Sequence, residues 1–131
     1  MIRLETDPFP PDEELGRLFA AAWGASKGDY ASKVLPRSLV HIGAFADDRL
    51  VGFVNVAWDG DVHAFLLDTT VHPLFQRQGL ATALVRRAAD LAKERGAQWL
   101  HVDYDPHLEG FYRGCGFRPT DAGLIDLKSH P

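Results

Sequence analysis

A strand candidate from Val62 to Val71 is closed by Pro73, and an amphipathic helix begins directly after Gly79. The residues between and around them read Val71-His72-Pro73-Leu74-Phe75-Gln76-Arg77-Gln78-Gly79-Leu80-Ala81-Thr82. A helix start exposes amide N–H groups and the positive end of the helix dipole. A residue without a side chain there lets an anion approach the backbone. Gly79 also fits a plainer reading, a tight strand-to-helix turn. The segment lacks the GK[ST] of a nucleotide-triphosphate loop and the three glycines of a dinucleotide fingerprint, which counts against both.

The flanking chain predicts an α/β fold. Ile2 and Leu4 alternate with charged neighbours as in a short strand, and Pro8 to Pro11 end it. Pro11, Asp12 and Glu13 start a helix carrying Leu15, Leu18, Phe19 and Ala22 on one face as far as Gly24. A short second helix is expected between Gly28 and Pro36. Leu39 to Ala46 and Leu50 to Trp58, joined by Asp47-Asp48-Arg49, predict a β-hairpin. After the Val62 to Val71 strand, Gln78 to Arg95 places Leu80, Leu84, Ala88 and Leu91 on one helical face. Gln98 to Tyr104 returns to strand, His107 to Arg113 predicts a short helix, and Phe117 and Leu124 to Leu127 predict closing strands.

Composition narrows the function. With 131 residues, one domain over 1–131 is expected. The formal charge of −4 argues against coating nucleic acid or an anionic membrane and favours a cationic partner. No apolar run approaches the roughly 20 residues of a membrane span. The N-terminus lacks a secretory pattern, and a lone Cys115 excludes an internal disulfide. A cytoplasmic location is expected.

Val-x-Pro-x-x-Gln-x-x-Gly-x-Ala, an amphipathic helix, a strand and then Phe111-Tyr112-Arg113-Gly114-Cys115-Gly116-Phe117 resemble the GNAT acetyltransferase superfamily. The resemblance is close from Phe65 to Phe117. It implies a single-domain mixed sheet with splayed central strands flanked by helices, and acetyl-CoA as acetyl donor. Gln76, Gly79 and Ala81 occupy the three defining positions of the family's pyrophosphate motif. By resemblance, Gln78, Gly79, Leu80, Ala81 and Thr82 hold the pyrophosphate through amides, Arg77 adds charge, and Thr69 and Val71 pair with the pantetheine arm. The wedge for the cofactor is expected between Val71 and Tyr104. Asp105 stands where many relatives carry Asn, and a carboxylate there accepts but does not donate.

Acetyl transfer to an amine needs a proton for the leaving thiolate and a place for the amine's proton. The resemblance assigns the first role to Tyr112, whose other reading is a core aromatic. Asp68, late in the central strand, is the first candidate for base, for orienting the backbone, or for binding a cationic acceptor. His101, Asp103 and His107 form a polar cluster without a recognisable metal-binding pattern, and no metal is expected. Cys115 reads as a small packing residue, and Trp23, Trp58 and Trp99 as core or rim packing.

The expected activity is acetyl transfer to a primary amine of a small molecule or peptide, by direct attack in a ternary complex. The acceptor pocket is expected from the Trp23 to Arg37 region, the hairpin and the loop near His107. A homodimer is a possible assembly. The alternative is a non-catalytic acyl-CoA-binding or regulatory module on the same fold.

Overall fold

The computed structural model describes residues 1–130. Five strands form one mixed sheet in the order β1-β2-β3-β4-β5: β1 Ile2–Thr6, β2 Ser38–Ala46, β3 Arg49–Trp58, β4 His63–Val71 and β5 Trp99–Val102. The first four pair antiparallel, and β4 and β5 run parallel. Four helices accompany them: α1 Asp12–Trp23, α2 Tyr30–Val34, α3 Leu80–Glu94 and α4 Glu109–Gly114. No helix among the described residues is long and apolar enough to cross a membrane.

Each face of the sheet carries its own apolar layer. Leu80, Leu84, Val85, Ala88 and Ala92 of α3 pack on Val40, Ile42, Val54, Val56 and Leu66. Leu15, Leu18 and Phe19 of α1, with Ala31 and Leu35, cover Phe45, Leu50 and Phe53 on the other face. The helical spacing of α1 and α3 therefore does what an amphipathic stripe predicts, burying one side of each helix. Gly24 ends α1 in the left-handed conformation, φ 87°, and its N–H donates to the Ala20 carbonyl.

Three expectations are corrected. The helix predicted from Gln78 begins at Leu80, because Gly79 takes φ 77°. Strand β5 ends at Val102 rather than Tyr104. The closing strands at Phe117 and Leu124 to Leu127 do not form. Leu124, Ile125 and Leu127 are exposed, and Asp126 closes a turn instead, accepting the N–H groups of Lys128, Ser129 and His130. A β-like sequence becomes a strand only when a ladder partner lies beside it, and an Asp that binds nearby amides competes with that ladder.

The segment that follows β1 is pinned to β2 by His41, which is 1% exposed. Its Nε2 accepts the Phe9 N–H at 2.9 Å, and its backbone N–H donates to Asp7 Oδ1 at 2.9 Å. Arg95 Nη1, just past α3, donates to Asp7 Oδ2 at 2.7 Å and to the Leu39 carbonyl at 2.9 Å. Desolvation pushes the His41 imidazole below its ordinary pKa; Asp7 opposes this and Arg95 adds to it. The unfolded chain then takes up the proton first, so stability is complete above about pH 6.5 and falls as pH drops below it. We expect melting temperature to decline from pH 7 to pH 5. His41→Gln, which can still accept from Phe9 without titrating, should flatten that slope; an equal slope in the variant would place its origin elsewhere.

Candidate functional site

Strands β4 and β5 pair only at His63↔Trp99, Ala64↔Leu100, Phe65↔His101 and Leu66↔Val102. Beyond Leu66 they part, for two reasons. On β4, the register against β3 jumps from Asn55↔Leu67 to Phe53↔Thr70, so β4 carries one extra residue there. Asp68 takes φ 59° within this bulge, and the Thr70 hydroxyl satisfies its carbonyl at 2.8 Å. On β5, the chain turns away into Pro106–Leu108, and Pro106 has no N–H to continue a ladder. Thr70 and Val71 keep their β3 partners, and Thr69 to Val71 lack a β5 partner.

The cleft at this opening has a volume of about 460 Å³. Thr69 and Val71 form one wall. Phe75, Gln76, Arg77 and Gly79 line it before α3, followed by Leu80, Ala81 and Thr82 of its first turn, with Phe111 opposite. Gly79 caps α3 without a side-chain hydrogen bond, and the first turn carries no acid. The first helical amides are therefore left for an external acceptor. Arg77 at φ 64° and Gly79 at φ 77° fold the loop into the alternating backbone that makes anion-binding concavities. A Cβ on Gly79 would meet nothing within 4 Å, so the space above it is open. Gln76 Nε2 donates to the Val71 carbonyl at 3.3 Å and ties this loop to the end of β4. The donor set suits a phosphate-bearing cofactor whose arm lies along β4.

Tyr112 is 8% exposed and does not itself line this cleft, although its neighbour Phe111 does. Its ring stacks on Tyr104, 4.9 Å between centroids, and meets Phe111 and Phe117 edge to face. Gly116, at φ 103°, turns the chain so that Phe117 folds back; the Phe117 N–H reaches the Tyr112 carbonyl. Arg86 Nη2 holds the Gly114 carbonyl at 3.1 Å, docking α4 on α3. The phenol lies beside the Thr69 side chain. Burial pushes its pKa up, while the Thr69 hydrogen bond works against that and Cys115 adds to it. A phenol in this state keeps its proton and can donate it.

Asp68, at the β4 bulge, is exposed and does not line the cleft. Tyr30 Oη of α2 donates to its Oδ2 at 2.6 Å. This contact gave no signal in the sequence, since 38 residues separate the pair and α2 is short. A second member was more accessible to sequence reading: Asn55 interrupts the apolar run of β3 and is fully buried.

The remaining candidates fall outside the small cleft. Gln78 and Asp105 are exposed and do not line it, although Gln78 precedes the Gly79 cap and Asp105 follows Tyr104. A larger, open cleft of about 1110 Å³ runs between β5 and residues 115–124. Asp103, Glu109 and Asp121 line it, so its size does not make it the better anion site. His101 contacts His63 at 2.9 Å and stacks on Phe65; His101 and Asp103 both line this larger cleft, and His107 does not. Among the described residues no group of three or more His, Cys, Asp or Glu is arranged to hold a metal ion. Burial pushes the Cys115 thiol up, against Arg86 and Thr82, which disfavours the nucleophilic thiolate. Trp23, Trp58 and Trp99 are all partly exposed rim residues.

The acetyltransferase (GNAT) family model matches residues 1–117. An uncharacterized ycf52-like N-acetyltransferase from Prochlorococcus marinus is 27% identical over 110 residues, 81% of this chain and 61% of the relative. The chain thus spans less than two thirds of that relative's length. A GNAT-family acetyltransferase from Streptococcus pneumoniae superposes with a TM-score of 0.80 at 27% identity, covering 96% of this chain and 98% of that one. An aminoglycoside N-acetyltransferase in complex with CoA shares the fold, with a TM-score of 0.75 at 17% identity over 95% of this chain and 93% of its own.

Proposed function

The chain belongs to the GNAT acetyltransferase family, and from that premise we propose that it transfers acetyl from acetyl-CoA to a primary amine of a small molecule or peptide. The observation that carries this reading is the uncapped start of α3 beside the Thr69 to Val71 backbone, which has no partner on its β5 side. One feature alone would serve many anions. Together they suit a pyrophosphate continued by an amide-bearing arm, since such an arm can add to a strand edge as a peptide does. The CoA bound to the aminoglycoside enzyme of the same fold supports the cofactor class.

In this reading the amides of Gln78 to Thr82 hold the pyrophosphate, with Gln76 bracing the loop and Arg77 adding positive charge. Thr69 and Val71 receive the pantetheine. When bound, acetyl-CoA supplies a thioester carbonyl; the amine nitrogen forms the new C–N bond and the C–S bond breaks. Tyr112 holds the proton that the departing sulfur takes. Asp68 faces the acceptor and takes, directly or through water, the proton that the amine nitrogen loses as the C–N bond forms. Its carboxylate and the net charge of −4 favour a cationic acceptor. Attack within a ternary complex needs no covalent enzyme intermediate, in keeping with the disfavoured thiolate of Cys115.

The test is acetyl-CoA consumption across a panel of amines, read as release of free CoA thiol. Saturable, amine-dependent release is expected. Saturable cofactor binding without such release would instead identify a non-catalytic acyl-CoA module, and absence of acetyl-CoA binding would overturn both.

A further inference from the structure

We propose that Tyr30 is a positioning residue for the acceptor: it grips one oxygen of the Asp68 carboxylate and leaves the other for a primary ammonium group. The inference rests on the acetyltransferase reading and adds to it a residue of α2 and the chemistry of the acceptor subsite.

Asp68 is held in place from two directions. Its backbone sits in the left-handed region at the β4 bulge, a conformation uncommon for a residue with a Cβ, which needs support from its surroundings. The Thr70 hydroxyl supports the main chain, and the Tyr30 phenol supports the side chain. Tyr30 itself has little freedom. Its ring meets Phe19 edge to face at 4.9 Å and Phe53 at 5.7 Å, both of them buried in the layer beneath α1.

Behind the phenol lies Asn55. Its Oδ1 accepts the Ser38 hydroxyl, while its buried Nδ2 has no hydrogen-bond partner among the described residues. The phenol's proton is directed outward to Asp68, because a carboxylate accepts and does not donate. Burial, followed by the hydrogen bond and charge of Asp68, pushes Tyr30 far above the ordinary phenol range, which keeps it a donor. Two donations are fixed in direction here, Ser38 to Asn55 and Tyr30 to Asp68.

The second donation ends on a carboxylate whose Oδ1 takes no hydrogen bond, and which has no Lys, Arg or His within salt-bridge distance, among the described residues. A protonated primary amine supplies the missing partner, with N–H donors and the opposite charge. Tyr30 sets the direction in which Oδ1 points and does not itself touch the amine. Because its donor arrives from α2, the acceptor subsite exists only while α2 is seated against β3 and β4.

Three probes test this: spermidine, neamine and a lysine-containing tripeptide, each titrated by calorimetry into the CoA-loaded protein. Wild type, Tyr30→Phe, Asp68→Asn and the double variant are compared, with steady-state kinetics alongside. At least one probe should bind wild type, and Tyr30→Phe should weaken it by roughly tenfold, the scale of a hydrogen bond to a charged group. The KM for amine should rise while the KM for acetyl-CoA and the affinity for CoA stay unchanged. In the Asp68→Asn background, Tyr30→Phe should add nothing, since its effect passes through that carboxylate. The proposal is overturned if no probe binds wild type, if Tyr30→Phe binds as tightly, or if its effect persists undiminished without the Asp68 carboxylate. Tyr30-dependent binding without turnover would overturn the acetyltransferase reading and leave the Tyr30 assignment standing. Turnover indifferent to Tyr30 would do the reverse.

Discussion

Tyr112→Phe is expected to lower kcat by about 10²- to 10⁴-fold, the contribution typical of a positioned general acid. The substitution removes one oxygen and keeps the ring, so the stack on Tyr104 and the edge contacts to Phe111 and Phe117 remain. Structural damage should be small. What disappears is the proton held beside Thr69, which is needed only as the sulfur departs. Loss of an interaction made in the transition state lowers kcat and kcat/KM together and leaves cofactor binding alone. The pH dependence gives an independent reading. Burial raises this phenol, so the wild-type alkaline decline should lie above the ordinary tyrosine value of about 10. The Phe variant should lack that limb. An unchanged rate and profile with a cognate amine would remove Tyr112 from the role.

Gly79→Asp should weaken CoA binding by about 100-fold or more, two tenfold steps, without destabilising the protein further than Gly79→Asn does. The two variants separate charge from shape. Asn and Asp are the residues with a side chain that best tolerate the φ of 77° found here, so the backbone cost is shared. Both put atoms into the open space above the helix start. Asp alone also puts a negative charge where the pyrophosphate is proposed to sit. That same charge interacts favourably with the helix dipole, by about 0.3–1 kcal/mol. The Asp variant should therefore melt at or above the Asn variant while binding CoA less well. Calorimetric titration and thermal melts check both halves, and wild-type affinity in the Asp variant would displace the pyrophosphate from this loop.

The parts legible in the chain were those with local causes. The stripe of Leu80, Leu84 and Ala88 made α3 readable, and the Asp47-Asp48 turn made the β2–β3 hairpin readable. Gly79 marked the helix start because one residue must take a left-handed φ there. Tyr112 was legible through its neighbours, since Gly116 and Phe117 build the fold-back that holds it. The Leu124 to Leu127 reading failed because apolar content is a property of the segment, whereas a strand is a property of two segments. Asp68 was singled out as a carboxylate, but its direction was not legible: the bulge depends on register against β3, and its donor comes from α2.

By itself, then, the amino-acid order determined the helix faces, the hairpin and the glycine that opens α3. Each depends on contacts or torsions within a few residues. Tertiary structure decided where β4 and β5 part and that Tyr30, Asn55 and Asp68 meet. Those outcomes join residues tens of positions apart, and they arise only when α1 and α2 pack on one face of the sheet and α3 on the other. Periodicity reports which side of an element is buried; it carries no term for what that side will face.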